Sequence, residues 1–325
     1  MRRRGFDVRQ APRRCHSEWT SPAAGYRKVA NTWSRRRRGP ASEDTFAAPG
    51  AQPAAGTREL TVARGFFTDT TVCIGCKACE VACKEWNQLP DDGMFFTGMS
   101  YDNTVSLGAS TWRHVAFVER PVPLGGQTTG LGDFSWLLMS DVCKHCKSAG
   151  CLENCPTGAI VRTEFDTVYV QPDVCNGCGY CVSGCPFGVI DRRADDGRAW
   201  KCTLCYDRLK GDMAPACAKA CPTESIVFGE LEDLRERARH RVEELHGRGV
   251  EEAYLYGADE EGQPGTGGLN AFFLLVDRPE AYNLPPDPVA PSKKAPEAWA
   301  RAALGALAMM ATAITAVLSS RRGER

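Results

Sequence analysis

Sixteen of the seventeen cysteines fall in four tight groups between Cys73 and Cys221. Thiols repeated at this spacing are metal ligands, loaded as thiolates under reducing conditions. The first group, Cys73, Cys76, Cys79 and Cys83, reads CxxCxxCxxxC. The second, Cys143, Cys146, Cys151 and Cys155, reads CxxCxxxxCxxxCP. The third, Cys175, Cys178, Cys181 and Cys185, reads CxxCxxCxxxCP. The fourth, Cys202, Cys205, Cys217 and Cys221, has eleven residues between its two pairs and again ends in Cys-Pro. The endings "CPTGAI", "CPFGVI" and "CPTESI" repeat, which marks duplicated units.

A CxxCxxC loop wraps three corners of a cubane [4Fe–4S] cluster. The fourth cysteine, three residues further on, has entered a helix, points away and serves the second cluster of a pair. Sixteen ligands then make four clusters. Groups two and three are adjacent and are expected to share, so Cys143, Cys146 and Cys151 take Cys185, while Cys175, Cys178 and Cys181 take Cys155. That leaves groups one and four for each other. Cys73, Cys76 and Cys79 take Cys221, and Cys202, Cys205 and Cys217 take Cys83. No ligand position is substituted, so four cubanes and no three-iron cluster are expected. The competing reading is four Cys₄ zinc sites. Zinc ribbons use two CxxC pairs, however, whereas three groups here carry a triplet with a displaced fourth. Lys77, Lys84, Lys144, Lys147, Lys201, Arg208 and Lys219 lie near the ligands; each would raise a cluster potential or is solvated surface. His145, inside "CKHC", is read as packed against a site and not as a ligand. No nucleophile, acid–base constellation or nucleotide loop is present, so no catalytic residue is assigned.

These groups need elements to hold them. A short strand is expected near Gly65, followed by a cysteine loop and a helical start. "HVAFVERPV" (114–122) alternates like a strand and "FSWLLMS" (134–140) is apolar, so a β insertion separates groups one and two. Gly125, Gly126, Gly130 and Gly132 form its hairpin loop and match no phosphate motif. "ELEDLRERARHRVEELHGRG" (230–249) is a charged helix ended by glycine, and "GGLNAFFLLVD" (267–277) is a buried strand. "NLPPDPVAPSKKAP" (283–296) reads as a stiff linker. The 19 residues Ala302–Ser320 carry no charge and are bracketed by Arg301 and Arg321-Arg322. As a helix they reach ~28 Å, which suits a hydrocarbon core of ~30 Å.

Residues 1–60 carry 13 Lys and Arg against 5 Asp and Glu, leaving 27 and 35 for the rest. A basic tail on an acidic body argues against nucleic-acid binding. The tail is expected to be disordered, with no role for Cys15, and no apolar stretch follows its basic residues as an export signal requires.

"TDTTVCIGCKACEVACKEWN" (68–87), "CKHCKSAGCLENCPTGAI" (143–160), "CNGCGYCVSGCPFGVI" (175–190) and "KCTLCYDRLKGDMAPACAKACPTESIVFGE" (201–230) resemble the iron–sulfur (beta) subunit of membrane-bound formate dehydrogenase. The resemblance covers about residues 64–280. The four-group frame is shared with subunits serving dimethyl sulfoxide, polysulfide and nitrate reductases and some hydrogenases. The resemblance implies crossed ligation like that above. It also implies a catalytic alpha subunit with a molybdenum or tungsten pterin, and a membrane cytochrome b (gamma) subunit that delivers electrons to quinone. The chain is then an electron-transfer subunit and no enzyme on its own. The alternative is the same role beside another catalytic partner, such as a sulfur-compound reductase or a hydrogenase.

The expected fold is α+β: two interleaved bacterial-ferredoxin-like domains binding four [4Fe–4S] clusters, plus a C-terminal transmembrane helix. Residues 64–142 and 200–280 form the first unit with its β insertion, and 143–199 form the second. A linker spans 283–297 and the membrane helix 299–320. Arg321, Arg322 and Arg325 would hold the C-terminus inside and put the cluster domain on the outer face of the cell membrane, the alternative being a cytoplasmic cluster domain.

Overall fold

The computed structural model describes residues 62–323 except 92, 94–95, 99–100, 103 and 121–134. The basic tail, Cys15 and the glycine loop lie outside the described residues.

The main sheet has four strands. They are β1 (Arg64–Asp69), β8 (Ile226–Glu230), β9 (Tyr254–Tyr256) and β10 (Ala271–Leu275), in the order β8-β1-β10-β9. β1 pairs antiparallel with β8, Phe66 opposite Phe228, and parallel with β10, Phe66 opposite Ala271. A strand from the start of the described chain therefore lies between two from its end. β10 is buried at every position, as a central apolar run must be. Phe67 stacks on Phe272 with centroids 5.4 Å apart. Helix α6 (Leu231–Gly247) covers the sheet with Leu231, Leu234, Ala238 and Leu245, one stripe at helical period.

Three hairpins complete the β structure. β2 (Arg113–Arg120) and β3 (Ser135–Val142) form the insertion, with Val115 opposite Ser140. β4 (Ile160–Arg162) pairs with β5 (Val168–Val170), and β6 (Asp191–Arg192) with β7 (Ala199–Trp200). The remaining helices up to residue 219 are α1 (Ala78–Asn87), α2 (Gly150–Glu153), α3 (Tyr180–Gly184), α4 (Tyr206–Leu209) and α5 (Ala216–Lys219). α1 packs on α5 and α2 on α3.

Helix α7 runs from Pro291 to Gly323. The expected linker over 283–297 is thus shorter, since its last seven residues are helical. Five prolines suggested a stiff linker, but Pro291 occupies the first helical position, where its missing N–H has no intrahelical partner to lose. Pro296, in the second turn, forfeits only the bond to the Ser292 carbonyl. Residues 291–316 are long and apolar enough to cross a membrane and none is buried. Leu304, Leu307, Met309, Met310 and Ile314 are each more than half exposed.

Candidate iron–sulfur sites

All sixteen cysteines are free thiols, so no disulfide framework competes for them. Each CxxC turn has one backbone feature in common. Its third residue is left-handed, with φ +67° at Gly75, +46° at His145, +72° at Gly177 and +57° at Leu204. Such turns aim successive N–H groups into the concavity where the thiols lie. Leu204 N–H donates to Cys202 Sγ at 3.3 Å, and Ala199 N–H to Cys175 Sγ at 3.4 Å.

The thiols gather in four sets. Cys73, Cys76, Cys79 and Cys221 line one cavity with Val115, Ser140 and Ile226. Cys143, Cys146, Cys151 and Cys185 line another with Phe187, Val189 and Lys201. Cys181 is flanked by Cys175, Cys155 and Cys178, and Cys83 by Cys202, Cys217 and Cys205. The helix pairs explain the crossing. α1 carries Cys79 and Cys83 on one face but about 6 Å apart along its axis, so they serve different sets, and its neighbour α5 carries Cys217 with Cys221 just beyond. α2 and α3 do the same for Cys151 with Cys155 and for Cys181 with Cys185. Neighbouring sets share packed core: Cys79, Cys217, Cys202 and Cys143 lie in one buried cluster, and Cys151 and Cys181 in another. The spatial order therefore runs from the Cys73 set through the Cys202 and Cys143 sets to the Cys175 set. Cys76 at one end and Cys178 at the other are exposed.

Among the described residues no three His, Cys, Asp or Glu side chains converge closely enough for a single metal ion. The Cys73 and Cys143 sets line cavities instead, which fits a cluster better than a zinc ion. Burial pushes the Cys79, Cys181 and Cys205 thiols up to about 11 and Cys151 to about 12, and raises Cys83 and Cys202 as well. Neighbouring thiols add to the rise. Thiols so placed give up their protons only to metal, so loading is coupled to deprotonation.

Of the cations noted in the sequence, Lys144, Lys201 and Arg208 are buried. Lys144 pairs with Asp141 and lies over Phe187 and Phe273. Lys201 donates to the Val168 and Cys202 carbonyls. Burial opposes its charge, but Cys143, Cys151 and Cys202 hold its pKa above the ordinary lysine value. Arg208 donates to Ala214 O and stacks on Trp86 at 4.1 Å, close to the Cys202 set. Lys77 is half-exposed and paired with Asp102 and Glu80. His145 is buried; Val168 N–H donates to its Nδ1 at 3.0 Å, the packing role expected of it. Sequence reasoning missed Arg113 and Ser140. Arg113, at the start of β2, is 1% exposed and donates to Cys217 Sγ at 3.2 Å. Ser140, on β3, lies 3.2 Å from Cys79 Sγ. Neither belongs to a cysteine group in sequence; the one available signal was an arginine sharing a strand face with Val115.

Comparison with known proteins agrees with this geometry. Residues 134–231 match a family described as a 4Fe-4S dicluster domain. The chain is 41% identical over 246 residues to the formate dehydrogenase iron–sulfur subunit of Haemophilus influenzae, covering 74% of this chain and 75% of that protein. It is 42% identical over 224 residues to the nitrate-inducible formate dehydrogenase iron–sulfur subunit of Escherichia coli, covering 68% and 71%. It is 32% identical over 178 residues to a component of the anaerobic dimethyl sulfoxide reductase of Escherichia coli, covering 55% of this chain and 78% of that protein. Four gathered sets of thiols and sequence identity across most of both chains lead to one assignment: this chain belongs to the family of formate dehydrogenase iron–sulfur subunits.

Proposed function

We propose that this chain is the electron-transfer subunit of a formate dehydrogenase complex and that its four thiol sets hold four [4Fe–4S] clusters. Cys73, Cys76, Cys79 and Cys221 hold the first. Cys202, Cys205, Cys217 and Cys83 hold the second in spatial order, then Cys143, Cys146, Cys151 and Cys185 the third, and Cys175, Cys178, Cys181 and Cys155 the last. The single observation that carries this reading is that each set shares packed core with the next, in one continuous line. When bound, each cluster supplies a site that takes up and gives back one electron. The chain does the rest. It spaces the sites, shields the inner two from water and supplies buried cations against their negative charge. Residues 64–142 with 200–280 make one ferredoxin-like unit, into which 143–199 are inserted as a second.

The ends of the line suggest the partners. α7 starts beside the Cys175 set: Ser292 Oγ donates to the Glu153 carboxylate on α2, between Cys151 and Cys155. That end faces the membrane and a cytochrome b subunit, and the Cys73 end faces a catalytic subunit with a molybdenum or tungsten pterin. Arg321 and Arg322 favour an inner C-terminus and a cluster domain on the outer face.

The test is elemental analysis of the complex purified anaerobically from membranes, with formate added to reduce it. About sixteen iron atoms per chain, molybdenum or tungsten, and bleaching by formate are expected. Zinc in place of iron overturns the reading. Full iron with no response to formate but reoxidation by dimethyl sulfoxide assigns a reductase partner instead.

A further inference from the structure

Arg113 is the buried cation least accounted for by the protein around it. Its Nη2 donates to Cys217 Sγ at 3.2 Å, and its Nη1 donates to the Ser140 carbonyl at 3.2 Å and to Ser140 Oγ at 3.4 Å. Ser140 Oγ in turn lies 3.2 Å from Cys79 Sγ. One guanidinium thus reaches two thiol sets, Cys217 directly and Cys79 through a hydroxyl. The Phe66 ring, its centroid 4.8 Å from Cζ, closes one face. No carboxylate pairs with Arg113 among the described residues, and its buried Nε has no hydrogen-bond partner there. Lys144 and Lys77, by contrast, each have an aspartate. A permanently charged group buried without a counter-ion is strongly disfavoured unless negative charge comes from something else in the site. Among the described residues, the groups near Arg113 able to carry it are Cys217, Cys79, Cys202 and Cys83.

We infer that Arg113 is a fixed positive charge that raises the reduction potentials of two adjacent clusters together, those of the Cys73 and Cys202 sets. The inference rests on the four-cluster reading above. Reduction adds one negative charge to a cluster, and a cation hydrogen-bonded to a ligand sulfur favours that state. Because the guanidinium spans both sets, it lifts both potentials, which favours electron entry at this end of the line and leaves the step between the two clusters little changed. Arg113 acts through the thiolates and carries no electron itself, so it is a positioning residue.

The test is potentiometric EPR on the whole complex, purified anaerobically. Arg113→Gln retains polar contacts and removes the charge. Two of the four potentials are expected to fall, each by at least about tenfold in the reduction equilibrium, about 59 mV for one electron. The other two serve as internal controls. Ser140→Ala, which cuts only the link to Cys79, is expected to lower the potential of the Cys73 set alone. Four unchanged potentials in Arg113→Gln at full iron content overturn the inference, and so does an equal shift of all four. Should Arg113→Gln fail to take up iron, Arg113→Lys decides. Its ammonium keeps the charge, so both potentials are expected to stay within about tenfold of wild type in the reduction equilibrium, about 59 mV, and a larger fall in both overturns the inference that the charge sets them. Wild-type complex containing zinc, or far fewer than about sixteen iron atoms, refutes the four-cluster reading instead, and that measurement is made independently of any Arg113 variant.

Discussion

Two glycines in "CNGCGYC" look interchangeable in sequence and are not so in space. Gly177 has φ +72° and Gly179 has φ +80°. Alanine at either position costs about 1–2 kcal/mol for a left-handed backbone. Beyond that the sites differ. A Cβ on Gly179 meets the Arg192 side chain at 3.6 Å, which is ordinary contact. A Cβ on Gly177 falls 2.4 Å from the Gly197 carbonyl oxygen, in the turn between β6 and β7. Backbone cannot swing aside as a side chain does, so loop and turn must separate by about 1 Å, and overpacking of this kind costs a further ~1–3 kcal/mol. The movement also draws Ala199 N–H away from Cys175 Sγ. Gly179→Ala is therefore expected to lower stability by about 1–2 kcal/mol and keep all its iron. Gly177→Ala is expected to lose about 2–5 kcal/mol and the cluster of the Cys175 set, about four of some sixteen iron atoms. Thermal unfolding and iron per chain of the anaerobically purified variants measure both. Equal midpoints and equal iron in the two variants would refute the claim that the β6–β7 turn clamps this loop.

Cys221→Ser is expected to remove the cluster of the Cys73 set and leave that of Cys202, Cys205 and Cys217; EPR showing the reverse loss would mean that ligation follows sequence order. Phe272→Ala, at the fully buried partner of Phe67, should lower the free energy of unfolding by about 3–5 kcal/mol. A denaturant midpoint unchanged by that substitution would show that the sheet is not the core of the fold. Removing residues 298–325 should move the chain from the membrane to the soluble fraction. Continued sedimentation with membranes would show that partner subunits, and not α7, hold it there.

The cysteine groups were legible because cluster binding is local. A CxxCxxC loop meets three corners of a cubane within seven residues, whatever the rest of the chain does. The displaced fourth cysteine was legible for a related reason. Four residues further along, a turn of helix carries the thiol about 6 Å along the axis, past the reach of the same loop, and Cys83, Cys155 and Cys185 each sit in another group's set. Alternation located β2, apolar content β3, and a charged run ended by glycine α6, each to within a few residues. Proline misled at 291–297, because its effect on a helix depends on where the helix begins.

What the sequence determined by itself, then, was local: the four groups of thiols and the short turns that carry them. The tertiary structure alone decided how the groups are strung. Numbered along the chain they run one to four, but in space group four lies between one and two. β1 lies between β8 and β10, so the end of the chain returns to its beginning and brings Cys217 against Cys79. The same return brings Arg113, thirty residues from the nearest cysteine in sequence, against two thiol sets at once. Spacing along a chain reports contacts within a few turns, whereas the route of an electron depends on which surfaces the folded sheet presses together.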